Sequence, residues 1–196
     1  MKKITWLMIT LGIILVLSVV VSGSWILTEG VVQATADEGF CGSCHSMRPF
    51  VETHALDVHG GANTKGLRAQ CADCHLPHAG PATYLIAKAR TGLWDVWAEV
   101  LTVFRTPDWI DKLEHRTDFV YDSGCRSCHA RLAEAPNQTP TAAFGHKTYF
   151  ASGGAMHCVT CHTQVGHRDL MARLTPSAAD TSDQTGQPVA TQEQSQ

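Results

Sequence analysis

Eight cysteines stand in this chain as four like pairs, each followed at once by a histidine. They read Cys41-Gly-Ser-Cys44-His45, Cys71-Ala-Asp-Cys74-His75, Cys125-Arg-Ser-Cys128-His129 and Cys158-Val-Thr-Cys161-His162. This spacing is the attachment signal for c-type haem. Two thiols add across the vinyl groups of the macrocycle as thioethers, and the next residue presents an imidazole to the iron. Paired Cys-x-x-Cys units also bind zinc, but a zinc site has no need of a histidine directly after every second cysteine. Four disulfides would use all eight cysteines and leave the four adjacent histidines unexplained. The pattern therefore predicts four covalently bound haem c groups, held through Cys41, Cys44, Cys71, Cys74, Cys125, Cys128, Cys158 and Cys161.

Eleven histidines are present, and four belong to the motifs. Seven remain as sources of second axial ligands: His54, His59, His78, His115, His146, His157 and His167. An electron-transfer haem usually has both axial positions filled by protein, so several of the seven should be distal ligands. Met47 is a different kind of candidate. It lies two residues after His45, and a thioether ligand raises a haem's potential relative to two histidines. The other role for Met47 is packing against a porphyrin edge.

These groups must be positioned by a chain of 196 residues with a formal net charge of -3. Such a length allows one small domain plus a membrane segment. A domain this short buries a thin core by itself, and four macrocycles would supply the missing apolar surface. The expected fold is mostly α with little regular structure: a single N-terminal transmembrane helix and a haem-packed tetrahaem cytochrome c domain. Nothing in the charge suggests nucleic acid.

Ile4 to Leu27 carries no charged residue. About 20 apolar residues span a bilayer, so this run is long enough. Lys2 and Lys3 precede it, and the positive-inside rule places that end in the cytoplasm. The expected location is the inner (cytoplasmic) membrane, crossed once, with the haem domain periplasmic. A cleaved leader is the alternative, because Ala34-Thr35-Ala36 resembles an Ala-x-Ala cleavage site, although leader cores run only to about 15 residues. The boundaries expected are 1–28 for the anchor, 29–174 for the haem domain and 175–196 for a disordered tail rich in Ser, Thr and Gln.

Thr28 to Glu38 reads as a short linker that puts motif 1 close to the bilayer surface. Pro81 to Phe104 reads as a helix, with Leu85, Ala89, Leu93, Val96, Val100 and Val103 at the helical period. Trp94 and Trp97 lie on or near that stripe and suit either packing on haem or contact with the lipid interface. Thr106-Pro107-Asp108 reads as a cap and first turn of a second short helix running towards Arg116. A polar loop through Pro136 and Pro140 is expected between motifs 3 and 4.

With these strings assembled, the chain resembles the NapC/NirT family of membrane-anchored tetrahaem quinol dehydrogenases, and within it the NrfH-type small subunit of ammonia-forming cytochrome c nitrite reductase. The resemblance covers about Trp6 to Leu170. It rests on the anchor and on four strings. These are Phe40-Cys41-x-x-Cys44-His45-x-Met47, Cys74-His75-Leu76-Pro77-His78, His115-Arg116-x-x-Phe119-Val120-Tyr121-Asp122-x-Gly124-Cys125, and Cys158-Val159-Thr160-Cys161-His162 ending in Val165-Gly166-His167.

The resemblance implies roles by position. Met47 would ligate haem 1 in place of His45, while His75, His129 and His162 remain motif ligands. Distal ligands would be His59, His78, His146 and His167, with His115 in reserve. If one haem takes a lysine from the catalytic partner, one of those four is not a ligand. Lys88 and Asp95 match the pair that lines the quinol site. The implied function is oxidation of menaquinol at haem 1 and electron relay to a multihaem periplasmic nitrite reductase in a hetero-oligomer. Two other classes stay open. One is a tetrahaem carrier serving nitrate or other reductases without its own quinol site. The other is a terminal reductase, for which only Arg48 near motif 1 offers a cationic donor.

Overall fold

The computed structural model describes residues 2–175. Beyond Thr175, the tail expected to be disordered lies outside the described residues. Among the described residues there are helices and short 3₁₀ turns but no strand.

Helix α1, Lys2–Ala34, is continuous over 33 residues. It is the one helix among the described residues that is long and apolar enough to cross a membrane, with a mean hydropathy of 2.7. At about 1.5 Å per residue it is roughly 50 Å long, more than a hydrocarbon core of about 30 Å requires. The linker expected from Thr28 is thus still helical to Ala34. The chain there has no proline, and local bonds support the extra turns. Thr28 Oγ1 donates to Ser24 O, and Gln33 Nε2 to Glu29 Oε1, each at 2.9 Å.

Asp37 then caps α2, Glu38–Cys41, its carboxylate accepting from Phe40 N–H at 3.1 Å. A 3₁₀ turn over His45–Met47 leads into α3, Arg48–Ala55. The loop after α3 turns back closely at Gly60, where a Cβ would lie 1.8 Å from the His54 carbonyl. Next come α4, Cys71–His75, with a Gln70/Asp73 capping box, and α5, Pro81–Leu101. Helix α5 stops three residues short of the Phe104 expected, because Thr102 caps it with a hydroxyl bond to Glu99 O.

Helix α6, Trp109–Glu114, starts after Asp108, whose side chain accepts from Asp111 N–H. The cap is Asp108 rather than Thr106, and Pro107 lies outside the helix. Helix α7, Asp122–Cys128, carries motif 3. Where a polar loop was expected, α8, Pro140–Ala151, begins at a Thr139 cap with proline in its first turn. Helices α9, Cys158–Cys161, and α10, Leu170–Leu174, complete the described chain.

The protein buries little of itself. The buried apolar residues are Ala36, Ala72, Leu76, Val159 and Leu170, and no described side chain is fully buried. Ala36, Ala72 and Leu76 form one small cluster against Tyr84 and Ala87. That cluster ties the end of α1 to motif 2 and α5, and Ala72 N–H donates to Ala36 O at 3.1 Å.

Candidate functional site

Motifs 2, 3 and 4 lie on α4, α7 and α9, where cysteines three apart share a helix face, whereas in motif 1 Cys41 ends α2 and Cys44 follows in extended chain. None of the eight cysteines is in a disulfide. The Cys41 and Cys71 thiols share a hydrogen bond that lowers the pKa of the first and raises that of the second. Burial, with the charges of nearby groups, pushes Cys74 up to about 11 and Cys158 up to about 12. Cys125 feels Cys74 on one side and bonds Cys158 on the other. The thiols thus run motif 1, 2, 3, 4 through space in chain order. Motifs 2 and 3 are in direct contact. Tyr121 N–H donates to Cys74 O at 3.0 Å, and Gly124 passes so close to α4 that a Cβ there would lie 2.0 Å from Asp73 O.

The histidines report what fits between these helices. Two imidazoles on opposite sides of one metal ion have ring centroids roughly 6 Å apart, from about 2 Å per metal–nitrogen bond plus about 1 Å to each ring centre. Three motif histidines meet that spacing. His75 faces His167 at 6.2 Å, His129 faces His59 at 6.3 Å, and His162 faces His146 at 6.2 Å. Four of these six rings are anchored through Nδ1. His75 bonds Phe119 O at 2.8 Å, His167 Phe50 O at 3.0 Å, His59 Asp57 Oδ1 at 2.9 Å and His146 Gln138 Oε1 at 2.5 Å. Holding Nδ1 fixes the tautomer and leaves Nε2 with its lone pair for a metal. Burial pushes His167 down to about 4 and lowers His75 as well, which keeps both imidazoles neutral.

Paired free thiols, facing imidazoles and a protein that lacks a core of its own together fit four haem c groups. A zinc reading finds no such support. Among the described residues, no three or more His, Cys, Asp or Glu side chains gather as a metal cluster.

His78 stands apart from the three pairs. Its Nε2 points to Ala72 O at 3.4 Å, and its ring packs edge-on against Tyr84. His115 and His157 are exposed, and His157 lies 3.7 Å from Asp122. His54 is buried, with Nδ1 on Gly166 O at 2.8 Å and Nε2 on Ala69 O at 3.1 Å. It pins the 166–168 segment to α3, together with the bond from Arg168 N–H to Thr53 O.

Motif 1 is built differently. Helix α5 runs past it and carries Lys88, Asp95 and Glu99 towards it. The charges of Lys88 and Asp95 act on Cys41, and those of Glu99 and Asp95 on Cys44. Lys88 Nζ donates to Thr35 O at 2.9 Å and lies 6.0 Å from the Tyr84 ring centre. Desolvation lowers the Lys88 ammonium and raises the Asp95 carboxyl, although Asp95 keeps access to solvent. His45 sits against Glu99, with Nδ1 2.7 Å from Oε1. Ser46 Oγ donates to Glu99 Oε2 and, ahead of the nearby His45, pulls that carboxyl below its usual range. Met47 is half-buried at the end of its turn. Between the end of α1 and the start of α5 opens a cavity of about 370 Å³, lined by Trp25, Glu29, Val32, His78, Tyr84 and Leu85 among others.

Sequence reasoning assigned no role to Glu99, Thr102 or Asp122, and named His54 only among seven possible distal ligands. Glu99 had a signal, since it falls one turn after Asp95 on the same helix. Asp122 had none. It accepts from Cys158 N–H at 3.0 Å and Tyr149 O–H at 2.8 Å, which fixes the start of motif 4.

The chain resembles several known proteins. It is 33% identical over 178 residues to cytochrome c-type protein TorY of Escherichia coli O157:H7, covering 85% of this chain and 47% of that protein. It is 35% identical over 156 residues to tetraheme c-type cytochrome CymA of Shewanella oneidensis, covering 71% of this chain and 80% of that protein. With cytochrome c-type protein NapC of Paracoccus pantotrophus it shares 31% identity over 148 residues, covering 70% of this chain and 60% of that protein. The chain thus spans about half the length of TorY and most of CymA. No solved structure matches it. The N-terminal region of the NapC/NirT cytochrome c family matches residues 2–172, and the chain belongs to that family.

Proposed function

We propose that this protein is a membrane-anchored quinol dehydrogenase, which oxidises menaquinol beside motif 1 and delivers the electrons to a periplasmic reductase. The observation that carries this reading is the placement of Lys88 and Asp95 on one helix, both acting on the motif 1 thiols, with Lys88 bonded to Thr35 just past the end of α1. A quinol arriving from the bilayer meets the cavity between α1 and α5 first, and Lys88 lies one turn beyond its Tyr84 and Leu85 wall. The exposed Leu93, Trp94, Val96 and Trp97 on α5 suit contact with lipid head groups. Lys2 and Lys3 on the far side orient the anchor with its N-terminus in the cytoplasm.

Each residue has a defined task. Lys88 Nζ donates a hydrogen bond to one quinol oxygen, exchanging its present bond to Thr35 O for it. A carboxylate oxygen of Asp95 accepts the hydroxyl proton. Its raised pKa brings it closer to the working pH, which strengthens it as a base. The protons leave on the outer face, where Asp95 meets solvent. The eight motif cysteines would hold the four haems, Met47 would be the protein ligand at the first, and the three histidine pairs would serve the rest. When bound, the haems supply one-electron transfer between the quinol site and the reductase.

The quoted sequence strings make ammonia-forming cytochrome c nitrite reductase the first partner to test. A second reading, a reductase that docks and leaves, is favoured by His167 facing His75. With that pair, motifs 2 to 4 each have an in-chain histidine partner, and none of these three leaves a position for a lysine from another protein.

The test is anaerobic reduction of the detergent-purified protein by a menaquinol analogue, followed through haem absorbance. Fast reduction in the wild type, lost in Lys88→Leu and Asp95→Leu with haem content and dithionite reduction unchanged, is the expected result. Variants that match the wild type would remove the site from α5.

A further inference from the structure

His45 is the one motif histidine whose Nε2 faces a hydroxyl instead of a second imidazole. Its Nδ1 contact with Glu99 does not by itself distinguish it, because His59 has the same relation to Asp57. The difference lies at Nε2, which is 3.4 Å from Thr102 Oγ1. That hydroxyl spends its own proton on Glu99 O at 2.7 Å. Both ring nitrogens of His45 thus face side chains of α5, Nδ1 the Glu99 carboxylate and Nε2 the Thr102 hydroxyl.

Glu99 is itself held for this purpose. Ser46, the residue after His45, donates to its Oε2. Oε1 is buried, has no aligned hydrogen bond, and has the His45 ring as its neighbour at ion-pair distance. A buried carboxylate oxygen in that state holds on to a cationic or N–H partner, because losing it would leave the charge uncompensated.

We propose that Glu99 and Thr102 on α5 clasp the His45 ring away from the iron of the first haem and so leave that coordination position to Met47. The proposal rests on the reading of Met47 given above and adds what makes it possible. An imidazole directly after Cys44 is otherwise placed to bind, and a thioether is the weaker competitor. Glu99 and Thr102 are positioning residues here, and the helix that carries them also carries Lys88 and Asp95. One helix thus builds the quinol site and selects the ligand of its first acceptor. A thioether ligand raises the potential of that acceptor.

The experiment reads ligation directly, through the long-wavelength sulfur–iron charge-transfer band and the potential of the highest-potential haem, on the full-length holoprotein. Wild type is expected to show the band, and Met47→Leu to lose it. The Glu99→Ala/Thr102→Val variant should lose the band at full haem content, with the first potential lowered. Adding His45→Phe to that variant should restore the band, because the competitor is gone. A band that survives in Glu99→Ala/Thr102→Val overturns the clasp while leaving Met47 as ligand. A band lost there and not restored by His45→Phe also overturns it, since Glu99 and Thr102 would then act only on local packing. A wild type without the band, unchanged in Met47→Leu, overturns the Met47 reading and the clasp together.

Discussion

The rings of His75 and His167 stand 6.2 Å apart, although one follows Cys74 and the other lies near the end of the described chain. Helix α3 creates the pair. Its Phe50 carbonyl takes His167 Nδ1, its Thr53 carbonyl takes Arg168 N–H, and its His54 takes the Gly166 carbonyl. On the other side Phe119 O orients His75 and its ring stacks on that imidazole, with centroids 6.0 Å apart.

His167→Ala should therefore open one axial position at the second haem. The expected outcome is loss of one of the three bis-histidine haems from the low-spin population, with the other two pairs intact. Electron paramagnetic resonance of the oxidised protein measures this. His78→Ala serves as the comparison and should leave the spectrum unchanged, since His78 Nε2 is turned to Ala72 O. The reverse pattern, with His78 needed and His167 dispensable, would refute the pairing.

Gly124 is where motif 3 crosses motif 2. A Cβ at 2.0 Å from Asp73 O meets backbone, which cannot swing aside as a flexible side chain could. Gly124→Ala should cost about 1–3 kcal/mol, the range for overpacked sites. It should lower the Tm of the holoprotein and the yield of fully loaded protein. Gly145→Ala in α8 is the control, because nothing lies within 4 Å of its Cβ. There the helix should gain up to about 1 kcal/mol.

The motifs, the anchor and α5 were legible because each rests on a local pattern: fixed spacing, an uncharged run, a helical period. Helices α3 and α8 were not. Helix α3 is only eight residues long, too short for a helical period to stand out, and α8 lacks a clear apolar stripe. Thr139-Pro140 did mark the start of α8, but it lay inside a polar stretch that outweighed it. The pairing of His167 with His75 depends on the chain returning to α3, which no local pattern records. Asp122 and His54 act through backbone groups far along the chain. Glu99 carries no local pattern that marks it beyond its place one turn after Asp95, and its role comes only from the position of motif 1 beside α5.

The pH profile of quinol oxidation should carry two limbs with assignable owners. Desolvation raises the Asp95 carboxyl, and only its deprotonated form accepts a proton. The rate should therefore fall as pH drops through a value above the usual carboxylate range. Desolvation lowers the Lys88 ammonium, and only its protonated form is a cationic donor. The rate should fall again as pH rises through a value below the usual lysine range. Steady-state reduction rates across pH would show Asp95→Asn losing the acid limb and Lys88→Leu losing the alkaline one, each at a reduced maximum. An acid limb that persists in Asp95→Asn would assign it to another group.

Ala34-Thr35-Ala36 looked like a leader cleavage site, yet these residues help to build the haem domain. Ala36 is 4% exposed, packs on Ala72 and Leu76, and accepts from Ala72 N–H. Thr35 O accepts from Lys88 Nζ. A soluble form beginning after Leu27 keeps both contacts, whereas one beginning after Ala36 loses both. Two hydrogen bonds at about 1 kcal/mol each and one small apolar burial put the difference at roughly 2–3 kcal/mol. The shorter form should melt at a lower temperature than the longer one at equal haem content. It should also leave Lys88 without its anchor, so that reduction by a water-soluble quinol weakens in the same form. Equal melting and equal quinol reduction in the two forms would detach residues 28–36 from the domain and restore the cleaved-leader reading.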